Sequence, residues 1–420
     1  MPEAAADPAG AEAALPFAGL RVLDAASYIA APAAATMLAD LGADVIKIEP
    51  PEGDPYRVLY KLPGYPATER NAPWELTSRH KRSLCIDLKT PEGQAVLHRL
   101  VRQADVFITN LPLPVRGRLA LDAPTLLALN PRLIYASLTA YGEVGPEAAK
   151  TGFDITAYWA RSGLMDGLRS DADAPPPKPG AGLGDQPTAV TLYAAIVTGL
   201  YRRLQTGRGG LVGTSLMANG LWSNAVPLST HLAGGRHAAK PPRSQARNPL
   251  TNLYRCADGR WLQLLILNEQ RQLPALLTAL GLDDWADNPL LTDPATREAD
   301  CERVVALFDA AFACHALAVW RQRLDAAGIT FGLIGTLDDL PHDAQARAAG
   351  LLRPRAGVTP DAAQAADLAV ASPVHLAGVT PRAPGHAPAL GQHNHAVLQQ
   401  AGFSAEERAA LVARGVLRGA

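Results

Sequence analysis

Between residues 20 and 138, short runs of aliphatic and β-branched residues alternate with stretches whose apolar positions recur at helical spacing. The pattern predicts strands at 21–25, 44–49, 83–88, 105–110 and 133–138, with helices at 32–41, 90–103 and 123–129. Thr90-Pro91-Glu92 is a well-formed helix start: a hydroxyl to cap, proline at the first helical position and an acid in the first turn. Strands alternating with helices imply right-handed crossovers and a mostly parallel sheet covered on both faces. The pattern then changes. A strand is predicted at 260–267, helices at 269–281, 297–311 and 318–327, and a strand near 330–334.

The expected fold class is therefore α/β: a Rossmann-like, mostly parallel sheet in a large domain, with a smaller α+β domain inserted. The boundaries expected are a disordered tail at 1–15, the first part of the large domain at 16–210, a linker at 211–248, the small domain at 249–340 and a return to the large domain at 341–420. At 420 residues and 48% hydrophobic content, the chain is long enough for two cores. Net charge is −1, from 39 basic and 40 acidic residues, so no global field recruits nucleic acid or an anionic membrane. An anionic ligand must be held locally.

Cys85, Cys256, Cys301 and Cys314 form no C-x-x-C pair and read as buried reduced thiols of a cytoplasmic protein. The first fifteen residues are Ala-rich with three acids and no basic residue, unlike a secretory leader. No apolar run is long enough to span a bilayer. His393 and His395 read as surface residues rather than metal ligands, and no metal site is expected.

Ligands of such sheets bind beyond the carboxyl ends of the strands. After the first strand, Ser27-Tyr28-Ile29-Ala30-Ala31-Pro32 lacks the dinucleotide fingerprint G-x-G-x-x-G, and no P-loop occurs. Several strand ends instead carry basic groups: Arg57, the run Arg79-His80-Lys81-Arg82, and Arg116 and Arg118 near Asn110. Singly these read as solvated charges; together they are expected to hold the phosphates of a nucleotide-bearing thiol.

The sharpest chemical signal is Pro179-Gly-Ala-Gly-Leu-Gly-Asp185, a glycine-rich turn that delivers one carboxylate at the start of a helix predicted at 186–205. Pro187 suits the first turn, Arg202 and Arg203 the last, and Gly207 the stop. Alone, Asp185 also reads as an N-cap. As a candidate nucleophile it is expected to be kept ionised by the free N–H groups of the helix terminus.

Several segments, in order, resemble family III CoA-transferases: Gly19-Leu-Arg-Val-Leu-Asp24, the run from Ala35 to Pro50, Gly53-Asp-Pro-Tyr-Arg57, Leu88-Lys-Thr-Pro-Glu-Gly93, Asn130-Pro-Arg-Leu-Ile-Tyr-Ala-Ser137, Gly184-Asp185, Thr206-Gly-Arg-Gly-Gly210 and Ala387-Pro-Ala-Leu-Gly-Gln-His393. The resemblance covers nearly everything after Leu15. It implies a catalytic Asp185, an interlocked homodimer, and CoA contacts at Ile29 and Ala30, at Ile86, Asp87, Leu88 and Lys89, at Asn110, Leu111, Pro112 and Arg118, and at Thr151, Gly152, Phe153 and Asp154. It implies an acyl-CoA donor, a carboxylic acid acceptor and no cofactor beyond coenzyme A as substrate, with transfer through mixed anhydrides and an aspartyl-CoA thioester. Backbone N–H groups at 182–184 are expected to stabilise the oxyanions.

The family also includes 2-methylacyl-CoA racemases, which need a His where this chain has Phe153; a phenyl ring moves no proton. Transfer is therefore favoured over racemisation, and the intact Asp185 favours it over a non-catalytic acyl-CoA-binding homologue. Formyl-CoA:oxalate transferases carry Gln where Ile29 stands, and a glycine cluster where this chain has residues 241–249, which contain none. An oxalate role is not expected. Arg243 or Arg247 is a candidate partner for an acceptor carboxylate, and each also reads as part of a solvated basic linker.

Overall fold

The structure, a computed structural model, describes residues 15–63, 65–360 and 363–418; apart from Leu15, the expected tail lies outside them. Six parallel strands form the main sheet: β1 (Arg21–Asp24), β2 (Asp44–Glu49), β3 (Lys81–Cys85), β4 (Val106–Thr109), β5 (Ile134–Thr139) and β6 (Gly210–Ser215). Their order is β3-β2-β1-β4-β5-β6. The chain thus runs outward from β1 in both directions, which leaves a topological switch point between β1 and β4.

The strands are apolar on both faces, as a sheet covered by crossover helices requires. Val22, Val45, Val106, Ile108, Ile134 and Ala136 face one way and pack with residues of the helices Ala30–Asp40 and Asp185–Thr206. Leu23, Ile46, Leu84, Phe107 and Tyr135 face the other, against the helices Pro91–Val101, Ala123–Leu129 and Asn394–Gln400. Every residue of Ala30–Asp40 is buried, and most are alanines. Small side chains let it sit against both the sheet and the long helix.

In the main sheet, two strands depart from the sequence reading. β3 begins at Lys81 and ends at Cys85, so residues 86–88 leave the ladder, apart from one bridge of Ile86 to Leu417. β6 and the helices Leu216–Ser223 and Ala225–Leu232 occupy most of the expected linker at 211–248. Glycines masked the strand: a Cβ on Gly213 would lie 2.5 Å from the Ser137 carbonyl oxygen, so the close backbone approach demands glycine where pattern reading saw a loop.

The chain divides into two compact units, one of residues 1–164, 178–228 and 344–420, the other of 165–177 and 229–343. In the first, the returning segment covers the edge of β3: Cys85 N–H donates to Asn394 Oδ1 (2.8 Å), His393 N–H to the Ser83 carbonyl (3.0 Å), and Ser83 N–H to His393 Nδ1 (3.1 Å). The second unit contains an antiparallel sheet of β7 (Leu253–Arg255), β8 (Trp261–Leu264) and β9 (Phe331–Leu333). Its core stacks Tyr254 on Phe312 and sets Trp320 against Phe312. The helix predicted at 297–311 is two helices, Pro294–Ala299 and Cys301–Phe312, parted at Asp300. Among the described residues no single helix is long and apolar enough to cross a membrane.

The basic groups expected to face phosphates are mostly turned inward. Arg57 grips Glu49 with two bonds (2.6 and 2.7 Å), Arg79 grips Asp40 (3.0 and 2.7 Å), Arg82 grips Asp44 (2.8 and 2.6 Å), and Arg116 reaches Ser137 (2.7 Å) and Glu143 (3.0 Å). A guanidinium that leaves water needs a carboxylate, and these have one each.

Two lysines lie wholly inside. Lys81 donates to Asp24 Oδ2 (2.8 Å) and to the carbonyls of Pro32 (2.7 Å) and Thr77 (2.6 Å). Lys47 pairs with Asp54 (2.9 Å), lies 3.8 Å from Asp24 and donates to the Ala26 carbonyl. Burial brings the Lys81 ammonium down to about 8 despite Asp24. Burial also works against Lys47, but Asp24, Asp54 and Glu49 outweigh it and hold it above the ordinary lysine value. Lys47→Met leaves Asp24 and Asp54 short of a counter-charge, and is expected to destabilise the protein by about 3–5 kcal/mol, read from urea unfolding midpoints.

Candidate active site

A cavity of about 470 Å³ opens at the switch point. Its floor is the pair of loops after β1 and β4: Ser27 to Ala30 on one side, Asn110 to Pro112 on the other. Asn110 ties them together, accepting from Ser27 N–H (2.9 Å) and donating to the Ser27 carbonyl (2.8 Å). Tyr28 sits at φ 64°, a left-handed conformation held by its N–H bond to Asp54 Oδ1 (3.3 Å). That bond links the pocket floor to Lys47 beneath it.

Leu138 to Ala140 from the end of β5, Leu216 after β6, the segment Thr151 to Ile155 and the glycine-rich turn complete the wall. Asp185 is the first residue of its helix, which runs to Thr206 with Gly207 as a left-handed stop. Gly184, not Asp185, occupies the capping position. The carboxylate is thus free to face the cavity. Phe153 is largely exposed and meets Tyr28 edge-on, with ring centroids 5.8 Å apart.

Asp154 fixes the turn. Its two oxygens accept from the single Gly184 N–H (3.1 and 3.2 Å), while Thr188 Oγ1 donates to the Gly184 carbonyl (2.7 Å). A Cβ on Gly184 would strike Asp154 Oδ1 and the Tyr158 ring, so only glycine permits the clamp. The expectation that N–H groups at 182–184 serve an oxyanion therefore fails for Gly184, whose N–H is already engaged.

The charge state of Asp185 also departs from expectation. Burial, followed by the nearby Asp154, pushes its carboxyl up to about 7. Loss of water and a like charge outweigh the helix terminus that was expected to keep it ionised. Burial also raises the Asp154 carboxyl, although the Gly184 N–H opposes it. Tyr56, buried and missed by the sequence reading, is pushed up to about 12 by burial and then by the charge of Asp185.

Of the residues named from sequence, Ile29, Ala30, Asn110, Leu111, Pro112, Thr151, Gly152, Phe153, Asp154 and Asp185 line this one cavity. Ile86, Asp87, Leu88 and Lys89 do not; they line a neighbouring cavity of about 130 Å³ that shares Ser27 and Leu111 with the first. Arg118 lines neither and is exposed at the end of the helix Leu113–Arg118. Arg243 is excluded as a free carboxylate partner: it grips Asp309 (3.1 and 2.7 Å) within the second unit, where Arg247 is exposed. Lys178, the one cation among the described residues lining the main cavity, was missed; its place just before Pro179 was the available signal.

Residues 17–394 match CoA-transferase family III, and the chain belongs to that family. The (R)-2-hydroxy-4-methylpentanoate CoA-transferase of Clostridioides difficile is 31% identical over 394 residues, 93% of this chain and 96% of its own. The cinnamoyl-CoA:phenyllactate CoA-transferase of Clostridium sporogenes is 31% identical, over 79% of this chain and 81% of its own. A CAIB/BAIF family protein from Brucella suis superposes with a TM-score of 0.80 at 28% identity, covering 92% of this chain and 99% of that one. The protein is a CoA-transferase, moving CoA between carboxylic acids.

Three outcomes follow from the turn. If Asp185 reacts as the carboxylate, kcat/KM rises with pH through a single ionisation near 7. Asp154→Asn removes the like charge and is expected to move that midpoint to lower pH in initial-rate profiles. Gly184→Ala is expected to lower kcat at least ~100-fold by displacing the carboxylate, with circular dichroism reporting an intact fold.

Proposed function

We propose that Asp185 is the covalent nucleophile of acyl-CoA:carboxylate CoA transfer. The observation that carries the reading is one carboxylate, raised to about 7, at the wall of a cavity on the switch point. A carboxylate of higher basicity is a better nucleophile, and near neutral pH a large fraction of it is still ionised.

The chemistry balances without an external base. The Asp185 carboxylate attacks the thioester carbonyl, the C–S bond breaks, and a mixed anhydride and CoA thiolate result. The thiolate attacks the Asp185 carbonyl carbon, releasing the donor acid and leaving an aspartyl-CoA thioester. The acceptor carboxylate attacks that thioester to give a second anhydride, and the returning thiolate takes the acceptor acyl group and frees Asp185. Asp154 keeps the turn fixed through each exchange by its hold on Gly184.

CoA would lie with its thiol in the main cavity and its nucleotide toward the smaller one. Lys89, exposed at the smaller cavity, and Arg118, exposed outside both cavities, are the cations offered to its phosphates. Phe153 at the cavity wall supports transfer over racemisation, since the position carries no proton. The reading extends to a cytoplasmic homodimer, which the resemblance to the family implies; Trp222 and Leu204, each 82% exposed, are apolar side chains that a second copy would cover.

The test is peptide mass spectrometry after mixing the protein with a panel of acyl-CoAs and trapping with hydroxylamine. Modification at Asp185 by one donor is expected, together with a loss of turnover of at least ~10³ in Asp185→Asn. Transfer that persists in that variant, with Asp185 never modified, would overturn the reading.

A further inference from the structure

A CoA-transferase takes up one carboxylate and releases another, and the main cavity is an unfavourable place for either. Asp154 and Asp185 both line it. Burial and Asp154 push the Asp185 carboxyl up to about 7, with no cation near enough to oppose them. The neutral polar groups of the wall are largely spent: Asn110 holds both backbone groups of Ser27, and Thr139 Oγ1 accepts from Gly142 N–H (2.9 Å). A further carboxylate entering this space needs a counter-charge.

One cation lines the cavity among the described residues, and it is unclaimed. Lys178 is exposed as well as lining, so it stands at the mouth. Arg57, Arg79, Arg82 and Arg116 are each held by a carboxylate, whereas the Lys178 ammonium has no ion-pair or hydrogen-bond partner among the described residues. Its backbone is prepared for presentation. Pro175, Pro176 and Pro177 precede it and Pro179 follows. Each proline fixes its own φ and keeps the residue before it out of the helical region, so little chain entropy is lost when the side chain engages a ligand. From Lys178 to Gly182 every residue lines the cavity, and Asp185 lies at the end of the same turn. The unpaired cation and the raised carboxyl are thus carried by one short segment.

We propose that Lys178 receives the carboxylate of the exchanging acid, pairing with the acceptor as it enters and with the donor acid as it leaves. The inference rests on the reading of Asp185 as the group that carries CoA. An acceptor arrives when Asp185 is already a CoA thioester and therefore neutral, which leaves Asp154 as the one charged acid among the described lining residues. Its oxygen attacks the Asp185 carbonyl carbon, an O–C bond forms, the C–S bond breaks and the negative charge passes to the CoA thiolate. No proton moves, and the ammonium keeps its own throughout. The charge that Lys178 held has left the acid once the anhydride forms, so the pair belongs to the bound ground state. Its removal is felt in the KM for the acid rather than in kcat.

Acetyl-, butanoyl-, phenylpropanoyl- and succinyl-CoA are each mixed with their own isotope-labelled acid, and the pair that exchanges label fastest is used to compare the full-length protein with Lys178→Met and Lys178→Arg. Lys178→Met is expected to raise the KM for the labelled acid about 5- to 20-fold, between the effects of an exposed and a buried charge pair, with kcat and the KM for acyl-CoA unchanged. Lys178→Arg should recover most of the loss. Rising ionic strength should raise the acid KM of the native protein but not that of Lys178→Met, since an exposed pair is screened. An acid KM unchanged in Lys178→Met, or an acyl-CoA KM that rises as much as the acid KM, overturns the assignment even where hydroxylamine trapping modifies Asp185. A selective rise in the acid KM in a protein whose Asp185 is never trapped would leave Lys178 standing and remove the nucleophile.

Discussion

Lys47 keeps its charge inside the sheet because Asp54, Asp24 and the Ala26 carbonyl close around it. Asp54 also accepts from Tyr28 N–H, and Asp24 Oδ1 from Ala26 N–H. The loop that forms one side of the cavity is therefore fastened to the buried charges, not merely laid over them. Lys81 extends the same arrangement to the start of the helix Ala30–Asp40 through the Pro32 carbonyl. Each ion is costly alone, and the group is stable only as a set.

On that frame the glycine turn is positioned from the other side. Gly184 occupies the cap, Asp154 takes its N–H, and Asp185 is left as the first helical residue, facing the cavity. Burial raises both carboxyls and the Asp154 charge raises Asp185 further, which opposes the usual preference for acids at a helix start. Such local conflict is tolerated because the helix behind it is long and its inner face, with Ala189, Leu192 and Ile196, is wholly within the core. The destabilised carboxylate is the part of the molecule with chemistry to do.

The basic residues show how charge is allocated. Pattern reading gave Arg57, Arg79, Arg82 and Arg116 to a ligand, but each is bound to a carboxylate of the fold: Glu49, Asp40, Asp44 and Glu143. What remains for ligands near the two cavities beside Asp185 is a smaller set, Lys89, Arg118 and Lys178. Pairing is a property of three-dimensional proximity, so no count of cations along the chain reveals it.

The sequence by itself determined the five strands from Arg21 to Thr139, their parallel arrangement, the helix behind Asp185 and most of the residues that line its cavity, because periodicity, glycine turns and capping residues act within a few positions of one another. It missed β6, reading a linker where glycines serve close backbone approach rather than a turn, and it could not see that Ile86 to Lys89 line a separate cavity. Only the tertiary structure decided the ionisation of Asp185, the engagement of Gly184 and the placement of Tyr56 and Lys178. Those depend on water excluded and charges brought near by contacts between segments far apart in the chain, and no local pattern carries that information.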